Sequence, residues 1–300
     1  MVFHIRHATR FTYEKPAYQS HNEVRLVPRT SPRQRCIEFR LEANDGASIV
    51  NFRDWFGNAV HSVSMHSPHE EFQIVAESIV ERDPPRSFID ERLIFDRYLA
   101  DDETRTREFF EFLSPTRHVP FSERLRKFFW SARPLPQETV AEYVTRMVTF
   151  VRDQFGYEPG TTDVHSDVDH MLSAGGGVCQ DFSHLTLGVL RLAGVPARYV
   201  SGYLAPNPGA GPAGVQASHA WLEAMLPGAG WTGFDPTHRG RTTDQHVRVA
   251  VGRDYSDATP LRGVFRSGGG NHSMSIDLKI EPLATGSIQS ARRFSSRSGS

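Results

Sequence analysis

The stretch that decides the fold is AGGGVCQDFSHLTLGVLRLAGVP, residues 174–196. Its glycine run favours an irregular loop, since glycine tolerates backbone conformations that other residues avoid. Apolar residues then recur at helical spacing, and Gly194 and Pro196 supply a stop signal. The pattern predicts a buried helix over 178–192 with Cys179 in its first turn. The residues that carry the helical stripe are Phe182, Leu185, Val189 and Leu192.

Three segments with strand composition follow this helix, at 197–204, 218–226 and 231–235. They are rich in β-branched and aromatic residues, which fit a pleated, half-buried surface. Pro227-Gly228-Ala229-Gly230 separates the last two segments and has the composition of a hairpin turn. The C-terminal half is therefore predicted to be α+β, with helices packed on an antiparallel sheet.

Three helices are predicted before the glycine loop, the first of them over residues 91–112. Within residues 137–155, apolar residues lie at i, i+4, i+7 and i+11 and form one stripe of an amphipathic helix. The tract Ser166-Asp167-Val168-Asp169 is typical of a helix start, where a hydroxyl and an acid can accept from free backbone N–H groups. This capping role accounts for the acids without a metal.

The N-terminal part has the period of two that is typical of half-buried strands, from Phe3 to about Val80. Asp54-Trp55-Phe56-Gly57-Asn58 separates two such runs and supplies turn residues. Asp83-Pro84-Pro85 then interrupts the pattern, because proline cannot continue a ladder. We predict an N-terminal antiparallel β domain over 1–85, a catalytic domain over 86–284 and a disordered Ser- and Arg-rich tail over 285–300.

Charge and hydropathy limit the classes of partner. The chain has 34 Lys and Arg against 35 Asp and Glu, so no global field draws it to nucleic acid or anionic lipid. It has no apolar run of the roughly 18 residues that a membrane-spanning helix needs. The first thirteen residues mix basic and apolar side chains and do not resemble a secretion signal. These features predict a cytoplasmic protein with no membrane or nucleic-acid partner.

Both cysteines, Cys36 and Cys179, stand outside CxxC pairs, so neither a disulfide framework nor a redox or zinc pair is expected. Cys36 is flanked by Arg33 and Arg35, which favour a lowered thiol pKa. No histidine lies near it in the chain, and we interpret it as incidental. Cys179 differs, because the partial positive charge of a helix N-terminus favours a thiolate, and free N–H groups there can serve an oxyanion.

His219 lies in the predicted strand 218–226, and Asp235 ends the next one. If the hairpin folds about residue 228, Asp235 stands opposite Trp221. His219, two residues before Trp221, points to the same face of the sheet. The acid is then a diagonal neighbour of the imidazole, roughly 7–8 Å away between backbones and within side-chain reach. Cys179, His219 and Asp235 therefore satisfy the order of nucleophile, base and orienting acid that acyl transfer requires.

Each of these residues also has a simpler interpretation. A lone cysteine at a helix start is more often a small buried hydrophobe, and a strand histidine is usually a hydrogen bonder. A metal site built from Cys179, His219, Asp235 and His238 is conceivable, but no pair has the short spacing usual for zinc ligands. The glycine loop lacks the Lys-Ser/Thr of a phosphate loop. No metal and no cofactor are expected.

Four ordered strings resemble the bacterial transglutaminase-like family, whose core is a papain-like cysteine fold: GGGVCQDFSHL (175–185), PARYVSGY (196–203), SHAWLE (218–223) and GWTGFDPT (230–237). EVRLVPR (23–29) and DWFGN (54–58) resemble the β domain that precedes this core in the family, and VGRDY (251–255) resembles a segment that follows the site. The resemblance covers roughly residues 1–282.

The resemblance implies that Cys179 is the nucleophile, His219 the general base and acid, and Asp235 the orienting residue. Asp181, Tyr199 and Tyr203 fall in matching motifs with no assigned chemical role. Two positions depart from the family: Ser183 replaces a common alanine, and His238 replaces an asparagine.

The resemblance also implies a reaction in which a carboxamide of a peptide or protein forms a thioester with the cysteine. Water resolves this thioester in a protease or amidase, and an amine resolves it in a transglutaminase. Water is the default acceptor, so hydrolysis is predicted. The alternative is a non-catalytic peptide-binding module, although such modules usually lose a triad residue.

Overall fold

The computed structural model describes residues 1–84, 95, 98, 102–159, 166–206 and 218–283. Two antiparallel sheets dominate these residues, and the helices pack on the second sheet. The prediction of an α+β fold with an N-terminal antiparallel sheet and a C-terminal helical core is confirmed. The predicted tail over 285–300 lies outside the described residues.

The first sheet is built around one long strand. Its members in chain order are β1 (Val2–Val24), β2 (Gln34–Ala43), β3 (Ser48–Arg53), β4 (Ala59–Met65) and β5 (His69–Arg82). They lie in the order β2-β5-β1-β4-β3. The first half of β1 pairs with β5, and its last residues pair with β4. The predicted turn at 54–58 joins β3 to β4, with Gly57 at a φ of 72°.

The chain returns to this sheet at its end. Strands β13 (Leu261–Ser267) and β14 (His272–Leu283) both pair antiparallel to β1, with Val24 opposite Leu261 and Val2 opposite Leu283. The prediction counted residues 261–283 with the catalytic domain, and the pairing instead adds them to the first sheet. The reason is that each part of β1 pairs with either β5 or β4 along one edge, so the opposite edge of that part offers free backbone donors and acceptors. The boundary near residue 85 stays a prediction.

The second sheet has the order β11-β10-β9-β8-β12. Its strands are β8 (Ala197–Leu204), β9 (Ser218–Leu226), β10 (Gly230–Asp235), β11 (Gly240–Arg241) and β12 (His246–Gly252). A separate two-stranded parallel sheet, formed by β6 (Gly156–Tyr157) and β7 (Gly176–Gly177), precedes these strands in the chain. The three predicted strands at 197–235 are thus confirmed almost residue for residue.

The described helices are α1 (Asp102–Glu108), α2 (Phe110–Leu113), α3 (Glu123–Ala132), α4 (Val140–Gln154), α5 (Val168–Ala174), α6 (Cys179–Leu192) and α7 (Tyr255–Ala258). Helix α4 begins at a capping box between Thr139 and Glu142, and its predicted apolar stripe is buried. Helix α5 is capped by Asp167, whose carboxylate accepts from the His170 N–H. Helix α6 is buried along nearly its whole length against β9, as its sequence predicted.

Two amide side chains join the first sheet to β12, an edge strand of the second. Gln34 donates to the Arg248 carbonyl at 2.6 Å and accepts from the Arg248 N–H at 2.8 Å. Asn58 donates to the Val251 carbonyl at 2.7 Å and accepts from the Val251 N–H at 2.9 Å. Arg29 adds hydrogen bonds to Asn58 Oδ1 and to the Phe56 carbonyl. The backbone N–H of Arg29 also donates to the Arg248 carbonyl at 3.0 Å, so the motifs at 23–29 and 54–58 both connect the two sheets.

In the part of the chain that the structure describes, every helix is too short or too polar to cross a bilayer.

Candidate active site

Cys179 is the first residue of α6, partly exposed, with extended Val178 before it. The N–H groups of Cys179 and Gln180 have no acceptor within the helix, because the residue four positions earlier lies outside it. Asp181 holds the approach to the helix, since its carboxylate accepts from the Val178 N–H at 2.8 Å. A Cβ on Gly177 would lie 2.7 Å from Asp181 Oδ2, so this close packing requires glycine. The loop thus presents Cys179 at a helix N-terminus.

The glycine loop is fixed from the other side by β6. The Gly156 N–H donates to the Gly175 carbonyl and the Glu158 N–H to the Gly177 carbonyl, both at 3.0 Å. Tyr157 lies between them, stacks on Phe182 and is 43% exposed. Burial raises the pKa of the Tyr157 phenol, and the nearby Cys179 and Asp235 add to the rise. Tyr157 is therefore close to the site, although nothing in its local sequence indicates this.

The hairpin register brings His219 to Asp235 as predicted. Phe234 pairs with Leu222, so Asp235 follows on the same strand at the level of Trp221. His219 Nε2 lies 2.7 Å from Asp235 Oδ2. The imidazole is also hydrogen-bonded to the Cys179 side chain. The structure thus brings together all three predicted residues, while their catalytic roles stay a prediction.

Asp235 is buried and accepts from several donors. Its Oδ2 lies 2.7 Å from His238 Nδ1 and 3.1 Å from His246 Nε2, in addition to His219. Its Oδ1 accepts from the Thr237 N–H at 2.8 Å. The tautomer of His246 follows from its surroundings: the Thr243 N–H donates to His246 Nδ1 at 3.0 Å, so the proton of the neutral ring is on Nε2 and points at the carboxylate. Asp235 is a carboxylate enclosed by imidazoles.

These contacts shift the pKa values of both Asp235 and His219. Burial alone would raise the pKa of Asp235, but hydrogen bonds from His219, His238 and His246 outweigh it and hold that pKa well below its usual range. Burial alone would lower the pKa of His219, but its hydrogen bonds to Asp235 and Cys179 raise it to about 10. The arrangement favours an imidazolium at neutral pH, which is the partner that a thiolate nucleophile needs.

His246 is a second residue of the site that sequence reasoning missed. It opens β12, and burial lowers its pKa although Asp235 opposes this. The available signal was weak: a histidine at the start of an apolar strand has no pattern that relates it to Asp235. His238, noted as a departure from the family, is exposed and lies against Asp235. Ser183, the other departure, donates to the Cys179 carbonyl within the helix.

The other motif residues serve the scaffold. Tyr199 is buried close to Cys179, and its pKa is raised by burial and then by Cys179. Tyr203 reaches the first sheet, where its hydroxyl lies 2.9 Å from His7 Nδ1. Cys36 donates its thiol to the Glu38 carbonyl, and burial raises its pKa to about 11. The expected lowering by flanking arginines is therefore wrong, and Cys36 is a poor nucleophile.

Ligand atoms of His219, Asp235 and His238 lie within 4.8 Å of one another, so the short separation of Asp235 and His238 in the chain does place two potential metal ligands together. Both imidazole nitrogens lie 2.7 Å from the same carboxylate oxygen. Two ligands of one tetrahedral zinc, each about 2.0–2.2 Å from the metal, would be more than 3 Å apart. The spacing is that of hydrogen bonds, which account for the arrangement.

Two family models match the chain. The bacterial transglutaminase-like N-terminal region matches residues 3–81, and the transglutaminase-like superfamily matches residues 131–236, which include the three candidate residues. A protein-glutamine gamma-glutamyltransferase of Pseudomonas aeruginosa is 31% identical over 133 residues, 42% of this chain and 19% of that protein.

One further relative and one solved structure match nearly end to end. An uncharacterised protein of Mycobacterium leprae is 36% identical over 285 residues, 93% of this chain and 98% of its own. A candidate cysteine protease from Cytophaga hutchinsonii has the same fold, with a TM-score of 0.76, 21% identity and coverage of 95% of this chain and 91% of its own. The chain belongs to the bacterial transglutaminase-like family, with that family's N-terminal region before a transglutaminase-like core.

Proposed function

We propose that this protein is a cysteine-dependent hydrolase that cleaves a peptide or carboxamide bond through a thioester on Cys179. The observation that supports this best is the hydrogen-bonded series from Cys179 to His219 to Asp235, with the thiol at the N-terminus of a buried helix. A nucleophile, a base and an orienting acid in contact are the requirement for acyl transfer.

In the first step the Cys179 thiolate attacks the carbonyl carbon, and a carbon–sulfur bond forms. The oxyanion of the tetrahedral intermediate can accept from the unused N–H groups of the first turn of α6. His219 gives its proton to the leaving nitrogen, the carbon–nitrogen bond breaks, and a thioester remains. Asp235 holds the ring and stabilises its protonated form.

In the second step a water molecule attacks the thioester, and His219 takes a proton from it. The carbon–sulfur bond breaks, the product leaves as a carboxylic acid, and Cys179 is again a thiolate beside an imidazolium. Asp235 keeps Nε2 of His219 engaged at 2.7 Å, so the proton transfers take place at Nδ1. The substrate is proposed to be a peptide or protein in the cytoplasm.

An amine can replace water in the second step, which would make the protein a transglutaminase. The similarity of 133 residues to a protein-glutamine gamma-glutamyltransferase supports this second candidate. The chemistry of Cys179, His219 and Asp235 is the same for both acceptors, so the acceptor must be tested directly.

The first experiment compares the iodoacetamide labelling rate of Cys179 in the wild type and in His219→Ala, with Cys36 as the internal control. We expect fast labelling of Cys179 at neutral pH that the substitution slows by tenfold or more, because the imidazolium that stabilises the thiolate is lost. Equal rates for Cys179 and Cys36, with no effect of His219→Ala, would contradict the proposal and favour a peptide-binding module.

The second experiment identifies the acceptor. Peptides with glutamine side chains are incubated with the enzyme, with and without a primary amine, and the products are assigned by mass spectrometry. Cleaved or deamidated peptides in the presence of the amine support hydrolysis. Amine-linked peptides as the main product would replace hydrolysis by acyl transfer. Cys179→Ala is the control for both reactions.

A further inference from the structure

A cavity of about 520 Å³ lies where the first sheet meets the second, and no triad residue lines it. Arg82 lines it from β5 and Arg33 from the loop before β2, and the second sheet contributes Arg241, Arg248, Glu223 and Trp231. The volume is within the range of small-molecule sites, about 300–1,000 Å³. A single carboxylate therefore faces four guanidinium groups in this lining.

The carboxylate of Glu223 is already engaged. Arg198 donates to its Oε2 at 2.6 and 2.8 Å, and Arg248 donates to its Oε1 at 2.7 Å. Both oxygens thus have charged partners of their own. Among the described residues, Glu223 therefore forms ion pairs with Arg198 and Arg248 but with neither Arg33 nor Arg82.

Arg33 and Arg82 bond only to neutral backbone carbonyls among the described residues. Arg33 donates to the Pro84 carbonyl, and Arg82 donates to the carbonyls of His246 at 2.9 Å and Arg33 at 3.2 Å. In the described part of the chain no carboxylate lies within ion-pair distance of either guanidinium. Asp244 is near enough to favour the charge on Arg82 without forming a contact.

The positive charges also act on one another. Burial lowers the pKa of Arg82, and Arg248 and Arg33 lower it further, while Glu223 and Asp244 oppose them. Burial likewise lowers the pKa of Arg29, to about 10, with Arg248 and Arg198 contributing. A bound anion would relieve this repulsion, because it places negative charge between the arginines.

The arginines are held in place before any ligand arrives. The Gln34 side chain bonds both to Arg248 of β12 and to the Arg29 carbonyl, which fixes the loop that carries Arg33. A guanidinium presents its donors in a planar fork that matches the oxygens of phosphate or carboxylate. Trp231, with Arg198 stacked 4.2 Å from its ring centre, gives the cavity an apolar wall.

We propose that this cavity is a binding site for a small organic oxyanion, a phosphate ester or polycarboxylate, held by Arg33, Arg82 and Arg248 and packed on Trp231. The oxyanion binds Arg33 and Arg82, with which Glu223 forms no ion pair, and the donors of Arg248 that are not bonded to Glu223. The organic part fills the rest of the cavity, which a bare ion would leave empty. Both sheets contribute to the site, which gives the N-terminal sheet a ligand-binding role separate from the cysteine.

The test is isothermal titration calorimetry on the full chain at constant ionic strength, with glucose 6-phosphate and citrate as the two probes and glucose as the neutral control. We expect saturable binding of at least one charged probe and none of glucose. The probe that binds more tightly distinguishes a phosphate ester from a polycarboxylate. Arg33→Gln should raise the Kd roughly tenfold or more, because one charge-assisted contact is lost.

Arg10→Gln is the matched control, since Arg10 is about half exposed on the same sheet and pairs with Glu71 away from the cavity lining. Arg82→Gln is the second variant, with thermal unfolding measured to show that it folds. No saturable binding of either charged probe, or equal weakening by Arg33→Gln and Arg10→Gln, would overturn the proposal. Cys179→Ala should bind the probes like the wild type, so the result is independent of the catalytic proposal.

Discussion

Two buried carboxylates on adjacent strands have opposite kinds of partner. Asp235 of β10 is enclosed by three imidazoles, those of His219, His238 and His246. Glu223 of β9 is enclosed by the guanidinium groups of two arginines. Histidine can exchange a proton near neutral pH, whereas arginine keeps its charge throughout the range in which proteins work. The first arrangement can therefore transfer protons, and the second can only hold charge in place.

The direction of the pKa shift does not separate the two sites. Burial would raise the pKa of both acids, and in both the partners reverse this and lower it. The two sites differ in whether the basic partner of the acid, an imidazole or a guanidinium, can exchange a proton near neutral pH. A perturbed acid is thus evidence for a reactive site only when a group that can exchange protons shares the perturbation.

The largest expected effect is on catalysis at the imidazole site. Asp235→Asn should slow acylation of Cys179 by roughly a thousandfold or more, because the amide can neither stabilise the imidazolium nor fix the correct tautomer. The rate is measured in a single turnover with an activated ester, and Glu223→Gln is the comparison. A decrease of only a few-fold in Asp235→Asn would remove the functional distinction between the two carboxylates.

The second effect is on stability at the guanidinium site. Glu223→Gln should lower the free energy of unfolding by about 3 kcal/mol, since it leaves two mostly buried arginines without their counter-charge. Urea titration measures the change, and Glu71→Gln, an exposed ion-pair variant, should stay within about 0.5 kcal/mol of the wild type. The folded Glu223→Gln protein should keep its acylation rate. Equal stability of the two variants would argue against a structural role for Glu223.

The third effect is on the pH dependence of stability. The pKa of His219 is about 10 in the folded protein, above the usual histidine value of about 6.5. Its stabilisation is therefore complete below about pH 6.5 and is lost as pH rises through about 10, by up to about 1.4 kcal/mol per pH unit. The depressed acids act in the other direction, because their stabilisation is present above about pH 4 and is lost as pH falls.

Urea unfolding of the wild type, His219→Phe and Glu223→Gln between pH 6 and 10 checks this difference. The gap between wild type and His219→Phe should shrink as pH rises, whereas the gap for Glu223→Gln should stay level, because the lowered pKa of Glu223 keeps this acid ionised over the whole range. Parallel curves for the two variants would show that His219 does not titrate as described.

The smallest effect is expected at the exposed imidazole. His238→Asn should change the acylation rate by about threefold or less, because His238 is more than half exposed and Asp235 keeps its bonds to His219 and His246. His246→Asn, at the buried ring, should have the larger effect on the same rate. A loss in His238→Asn comparable to that in Asp235→Asn would mean that the exposed ring takes part in the proton transfers.

Local patterns predicted the site because its parts are close in the chain. The turn at 227–230 sets the register of β9 and β10, so simple counting placed Asp235 beside His219. The glycine run and the apolar spacing after it placed Cys179 at the start of α6. Each of these inferences needed only residues within one hairpin or one helix.

The parts that were not predicted depend on contacts between distant segments. Strand β14 pairs with β1, although the two strands lie near opposite ends of the described chain. The hydrophobic periodicity of a strand does not indicate which other strand it will pair with. His246 reaches Asp235 from β12, a strand whose partner is β8 and not the hairpin. The cavity beside Trp231 likewise requires both sheets.

The amide pairs of Gln34 and Asn58 have a consequence for handling the protein. They occupy backbone groups on the side of β12 that no strand of the second sheet covers. A fragment without the first sheet would leave this edge bare, and a bare apolar edge is a template for intermolecular pairing. We therefore expect the N-terminal sheet to protect the transglutaminase-like core from aggregation, which is one physical reason for the two parts to be joined in a single chain.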